Sequence, residues 1–109
     1  MKLIVCIVNS RDKAKLSESL LQEGFEHTVL NSTGGFLKQG NIIFLIGLEQ
    51  TRIPALYDLI RTNCQAREEV ISTMPIGGSL TGTFLQSQNT IRVGGATIFV
   101  LDVEQFERL

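Results

Sequence analysis

Residues 3–31 read LIVCIVNSRDKAKLSESLLQEGFEHTVLN, and the order of patterns in this stretch decides the fold. Leu3 to Val8 is a continuous apolar run rich in Val and Ile, the composition of a strand buried on both faces. Asn9 and Ser10 follow as helix-capping residues, because a short side-chain oxygen can accept from the unpaired N–H groups of a first turn. From Arg11 to Glu23, Ala14, Leu16, Leu20 and Leu21 fall on one broad helical face, with Lys13, Lys15, Glu18 and Glu23 at its edges or outside it. Gly24 is placed to close that helix just past its C-cap. Phe25 to Asn31 is short and rich in aromatic and β-branched residues, so the stretch ends as it began, in a strand.

Working outward, Asn41 to Leu48 (NIIFLIGL) reads as a third strand. Thr51 caps a second helix that carries Pro54 in its first turn and ends near Gln65, with Ile53, Leu56, Ile60 and Cys64 as its apolar stripe. From Ala66 to Arg92 both periodicities are lost, and residues 66–92 read as a long loop. Gly94-Gly95 then precedes Ala96 to Val103, a last apolar strand. The order β-α-β-β-α-β predicts an α+β, ferredoxin-like fold, with two helices on one face of a four-stranded antiparallel sheet. Strands 3–8 and 96–103 have the composition of strands covered on both sides, which two helices cannot supply. The expectation is an oligomer that covers the open sheet faces.

At 109 residues the chain reads as a single domain, 1–109, and its 43 % hydrophobic content excludes disorder. Ten basic and eleven acidic side chains leave a net charge of −1, so there is no electrostatic footprint for long nucleic acid or an anionic membrane. The first apolar run is too short for a signal peptide or a membrane span, and a cytoplasmic location is expected. Cys6 and Cys64 lack CxxC spacing and read as buried free thiols.

Catalytic chemistry finds little support. His27 is the only histidine, sits within a strand and has no cysteine or second histidine nearby, which argues against a metal site. Asp12, Asp58 and Asp102 are scattered, and Glu68-Glu69 reads as a solvated patch, so no carboxylate pair suggests acid–base work. A non-enzymatic protein without a cofactor is expected; a phosphate-ester enzyme would lack its acid and base. Residues 32–40, STGGFLKQG, are more informative. Backbone N–H groups around Gly34 and Gly35 can form an anion-binding nest, Phe36 offers a face for stacking a base, and Asn41 carries the donor and acceptor that an adenine edge requires. A hairpin turn with Phe36 packed locally fits the same residues.

Thr28, the run Thr33-Gly34-Gly35-Phe36-Leu37-Lys38 with Gly40-Asn41, Gly47, Met74-Pro75-Ile76-Gly77-Gly78 and Val93-Gly94-Gly95-Ala96-Thr97-Ile98-Phe99-Val100 occur together in this chain. In this combination the sequence resembles the cyclic di-AMP receptor family of PII-like signal-transduction proteins, over its whole length. The resemblance implies a bacterial homotrimer of ferredoxin-like subunits that binds cyclic di-AMP in clefts between neighbours. It also implies a short ligand loop at 32–40, and a long flexible loop at 66–92 that answers ligand binding and meets a downstream protein. Carried onto this chain, it implies Phe36 stacking on one adenine, Thr28 and Asn41 bonding the base, and backbone contacts at Gly35, Leu37 and Gly47. Two positions depart from the family pattern: Glu26, where a basic residue is expected, and Arg108, where a glutamine is expected. They motivate an alternative, a PII-like sensor of ATP, ADP or AMP. Leu80 to Gln88 also departs, lacking the proline- and tyrosine-containing stretch expected in the long loop.

Overall fold

The computed structural model describes residues 1–31, 40–72 and 88–109. Strand β1 (Lys2–Asn9) runs through a 3-10 turn (Ser10–Asp12) into helix α1 (Lys13–Gln22). Strands β2 (His27–Asn31) and β3 (Asn41–Leu48) follow, then a 3-10 turn (Gln50–Arg52) and helix α2 (Ile53–Asn63). Strands β4 (Arg67–Ser72) and β5 (Gln88–Val93) precede β6 (Ala96–Asp102). The main sheet has the order β2-β3-β1-β6, with every neighbouring pair antiparallel. With its two helices this is a small α+β domain consistent with a ferredoxin-like fold.

The turns follow from local chemistry. Asn9 is extended (φ −72°, ψ 144°), and its side-chain oxygen accepts from the Arg11 N–H at 3.0 Å. Gly24, at φ +77°, ends α1: its N–H donates to Leu21 O and that of Phe25 donates to Leu20 O, at 3.1 and 2.8 Å. This is the Schellman pattern, in which glycine adopts the left-handed conformation and the next apolar residue folds back on the helix. Phe25 and Leu20 accordingly share the core. Asn63 joins the helices, its Nδ2 donating to Leu59 O at 2.8 Å and its Oδ1 accepting from Ser19 Oγ at 3.2 Å.

One face of the sheet builds the core. Ile4, Cys6 and Val8 of β1 and Ile42, Phe44 and Ile46 of β3 pack against Leu16 and Leu20 of α1 and Leu56 and Ile60 of α2, with Cys64 beyond the last helix turn. The stripe expected on α2 is present, with Ile53 half-buried at its start. On α1 the buried stripe is narrower than expected. Asp12, Leu16 and Leu20 lie inside, whereas Ala14 is exposed and Leu21 is 68 % exposed, because a helix on the outside of two layers buries only about a third of its circumference.

The opposite face is uncovered in the single chain. By strand alternation it carries Leu3, Val5 and Ile7 of β1, Ile43 and Leu45 of β3, Thr28 and Leu30 of β2, and Phe99 and Leu101 of β6. Leu30, Phe99 and Leu101 are 43 %, 54 % and 48 % exposed. Within one chain, strands 3–8 and 96–103 are thus covered on one side only, as expected of a sheet with two helices.

A second correction concerns residues 66–92, read as a loop. The structure pairs β4 with β5, antiparallel from Arg67 opposite Val93 to Ser72 opposite Gln88. Neither segment carries a run of alternating apolar residues, and each acquires strand structure from a partner about twenty residues away in sequence, which local patterning does not report. Met74, the Gly77-Gly78 pair, Phe84 and most of Leu80 to Gln88 lie outside the described residues. At the root of this hairpin, Asp12 is buried (3 % exposed) and its Oδ1 accepts from Arg67 Nη2 at 3.2 Å, while Arg67 Nη1 donates to Gln65 O at 3.1 Å. Gly94, at φ +86°, packs on the same place, where a Cβ would lie 2.2 Å from Gln65 O.

Gly94→Ala is expected to destabilise the protein by at least about 2 kcal/mol, from the positive φ and the backbone clash together, as measured by urea unfolding. The two thiols are buried and free. Burial pushes Cys6 up to about 11 and Cys64 up to about 12, the Asp12 carboxylate adding to the second. Burial favours the neutral thiol, so this contribution to stability is complete below the ordinary thiol range and is lost as pH rises from about 9 towards 11–12. Folded protein at pH 8 is expected to resist a thiol-reactive dye that labels both cysteines at once in denaturant.

Candidate functional site

Where the open face meets the end of the chain there is a recess of about 470 Å³. Its floor comes from the sheet. Thr28 stands opposite Leu45 in the β2–β3 pairing, and Gly47 stands opposite Leu3 in the β3–β1 pairing, so these four residues share one face. Gly47 leaves bare backbone there. A Cβ at this position would meet only the Met1 Cε, at 3.2 Å, and that flexible terminus can give way.

The wall is supplied by the residues after β6. Val103 N–H donates to Met1 O at 3.2 Å, which anchors the start of the tail beside β1. Val103, Phe106 and Arg108 then line the recess, with Phe106 59 % exposed. Arg108 Nη2 donates to Glu26 Oε2 at 2.9 Å, and the same guanidinium stands 5.9 Å from the centre of the Phe106 ring. Nearby, Lys2 bonds the Asp102 carboxylate, and this bond and the lysine charge hold Asp102 below the usual carboxylate range.

His27 belongs to the wall but its ring is occupied. Nδ1 faces Phe25 O at 3.1 Å, Nε2 faces Ser17 Oγ at 2.8 Å, and the ring lies 5.5 Å from that of Phe44. A carbonyl oxygen only accepts, so in the neutral ring Nδ1 carries the proton and Nε2 accepts from the serine hydroxyl. These bonds fix the imidazole between α1 and β2 and leave no nitrogen for acid–base work in the recess.

The family model for cyclic-di-AMP receptors matches residues 1–109, the whole chain. The chain belongs to the cyclic-di-AMP receptor family. It is also similar to a solved structure of a functionally unknown protein from Pediococcus pentosaceus, at 36 % sequence identity and a TM-score of 0.74, covering 99 % of this chain and 96 % of that one.

Of the residues that the family resemblance singles out, Thr28 and Gly47 meet in the recess, and the two departures Glu26 and Arg108 meet on its rim. Asn41 does not join them. It opens β3 opposite Asn9, on the same face as Leu45 and Gly47 but six residues before Gly47, about 20 Å along the strand. Gly35, Phe36 and Leu37 lie outside the described residues and precede Asn41 in the chain. A cyclic-di-AMP receptor's candidate residues are thus divided between the two ends of one sheet face. Leu3, Leu45 and Val103 were not singled out from the sequence, since apolar residues in strands read as core. The signal available for Leu45 was its place two residues before Gly47 in NIIFLIGL, where alternation puts both on one face.

A long-range ¹⁵N correlation spectrum is expected to show neutral His27 as the Nδ1–H tautomer, with Ser17→Ala shifting the Nε2 resonance and leaving the tautomer unchanged.

Proposed function

We propose that this protein is a non-enzymatic sensor that binds cyclic di-AMP between the subunits of a PII-like homotrimer and transmits occupancy, through residues 66–92, to a downstream protein. The observation that carries the reading is the division of the candidate residues along β3. Thr28 and Gly47 stand at one end of an uncovered apolar face and Asn41 at the other, on the strand that follows the Gly35–Leu37 segment. A ligand that touches both sets must lie between two copies, with the recess of one facing the loop of the next. The apolar face supports the same arrangement, because Leu30, Phe99 and Leu101 are the kind of surface that a soluble chain covers by association.

In this reading the recess takes one half of the dinucleotide. Thr28 supplies a hydroxyl for the base, and Gly47 allows close approach to the backbone. From the neighbouring copy, Phe36 stacks on an adenine, a contact worth about 1–3 kcal/mol, and Asn41 pairs with its donor and acceptor edge. Occupancy changes the conformation of residues 66–92 only in so far as the ligand binds one arrangement of them more tightly than another. Among the described residues of the recess, His27 has both ring nitrogens bonded and Glu26 is paired with Arg108, which supports sensing over turnover.

Titration calorimetry is expected to give micromolar or tighter binding of cyclic di-AMP at one site per chain, weakened at least about tenfold in Phe36→Ala and in Asn41→Ala. Sedimentation is expected to show a trimer with and without ligand. Saturating cyclic di-AMP with neither heat nor a shift in melting temperature would refute the reading.

A further inference from the structure

The 3-10 turn of Ser10–Asp12 is bonded on both of its sides to segments that the sensor reading requires to communicate. Ser10 N–H donates to Gly40 O at 2.6 Å, and Gly40 (φ +90°) closes residues 32–40 just before β3. At the other end of the turn, Asp12 is 3 % exposed and its Oδ1 accepts from Nη2 of Arg67, the first residue of β4, at 3.2 Å. The far strand of the hairpin returns to the same place. Gly95 N–H donates to Cys64 O at 2.5 Å, and a Cβ on Gly94 would lie 2.9 Å from Arg67 Nη1. We propose that the Asp12–Arg67 pair is a switchable joint: occupancy of the candidate ligand loop moves the Ser10–Asp12 turn, and Arg67 answers by changing its bonds and with them the seating of the β4–β5 hairpin.

This role rests on the sensor reading above and supplies its means of transmission. A joint can switch only if it has two ways to be bonded, and the donors and acceptors here provide them. Asp12 Oδ2 is buried and has no hydrogen-bond partner among the described residues, although a buried carboxylate oxygen is costly to leave unmet. Arg67 presents Nη2 to Asp12 and directs Nη1 to Gln65 O at 3.1 Å. A guanidinium and a carboxylate also join through two parallel bonds, one to each oxygen. Turning Arg67 into that grip satisfies Oδ2 and releases Gln65 O, the carbonyl against which Gly94 packs. There is space for the turn, because Arg67 is half-buried beside a recess of about 330 Å³ that Asp12 and Gln65 also line. The two arrangements exchange a bond next to Gly94 for a bond to the Ser10–Asp12 turn, and a ligand that displaces Gly40 favours one over the other.

Asp12→Asn and Arg67→Lys each keep a group able to make the present single bond and remove the two-bonded grip, so both spare the fold. Hydrogen–deuterium exchange of residues 67–72 and 88–93 is measured with and without saturating cyclic di-AMP, while calorimetry records binding to each protein. In wild type the ligand is expected to change hairpin exchange at least about fivefold, the lower end of ordinary coupling between sites, and in either variant less than about twofold. Binding of cyclic di-AMP is expected to persist in both variants, because neither residue is among the candidate ligand contacts. A pair that merely holds the fold together would raise exchange equally with and without ligand and leave their ratio as in wild type. That result in either variant would overturn the joint while the sensor reading stands. Wild-type protein that binds without any hairpin response would overturn transmission through residues 66–92, and the joint with it. Wild-type protein that binds no cyclic di-AMP would overturn the sensor reading itself.

Discussion

The sheet has two apolar faces and the chain owns only enough helix to cover one. In the four-stranded sheet, every strand but β2 is dominated by Val, Ile, Leu and Phe, while α1 and α2 sit together over Ile4, Cys6, Phe44 and Ile46. Burial of apolar surface stabilises by about 25 cal/mol per Å², so leaving Leu3, Val5, Leu45, Phe99 and Leu101 in water is a sustained cost. That imbalance shapes what lies on the open face. The tail folds back towards it, the recess forms on it, and the divided set of candidate ligand residues is arranged along it.

The recess owes its chemistry to what is missing from it as much as to what lines it. Gly47 removes a side chain from the floor, and the bonds that His27 makes to Ser17 and Phe25 turn its nitrogens inward. The charged side chains among its lining residues, Arg108 and Glu26, are joined to each other. What remains is an apolar floor with one hydroxyl and a rim of balanced charge.

Much of the fold was legible in the amino-acid order because its signals are local. Asn9 and Gly24 mark the ends of α1 through bonds spanning a few residues, and the stripe Leu56, Ile60, Cys64 follows from helix geometry alone. Where the reading failed, the deciding partner was remote. Leu21 looked apolar enough to be core, but only the position of α1 over the sheet determines which third of the helix is inside. The β4–β5 pairing joins segments with no strand pattern of their own. Thr28 and Gly47 were legible as candidates through their family resemblance, yet their separation from Asn41 follows from a strand register, and the bond between Glu26 and Arg108 joins residues 82 positions apart.

By itself the sequence determined the two helices, the four strands of the main sheet and their order, because capping, periodicity and composition act over a few residues and are written in them. Tertiary structure alone decided that Glu26 and Arg108 neutralise each other, that His27 faces inward, and that Asn41 and Gly47 lie at opposite ends of one face. These facts depend on distances between residues far apart in the chain, and distance in space is set by packing and register.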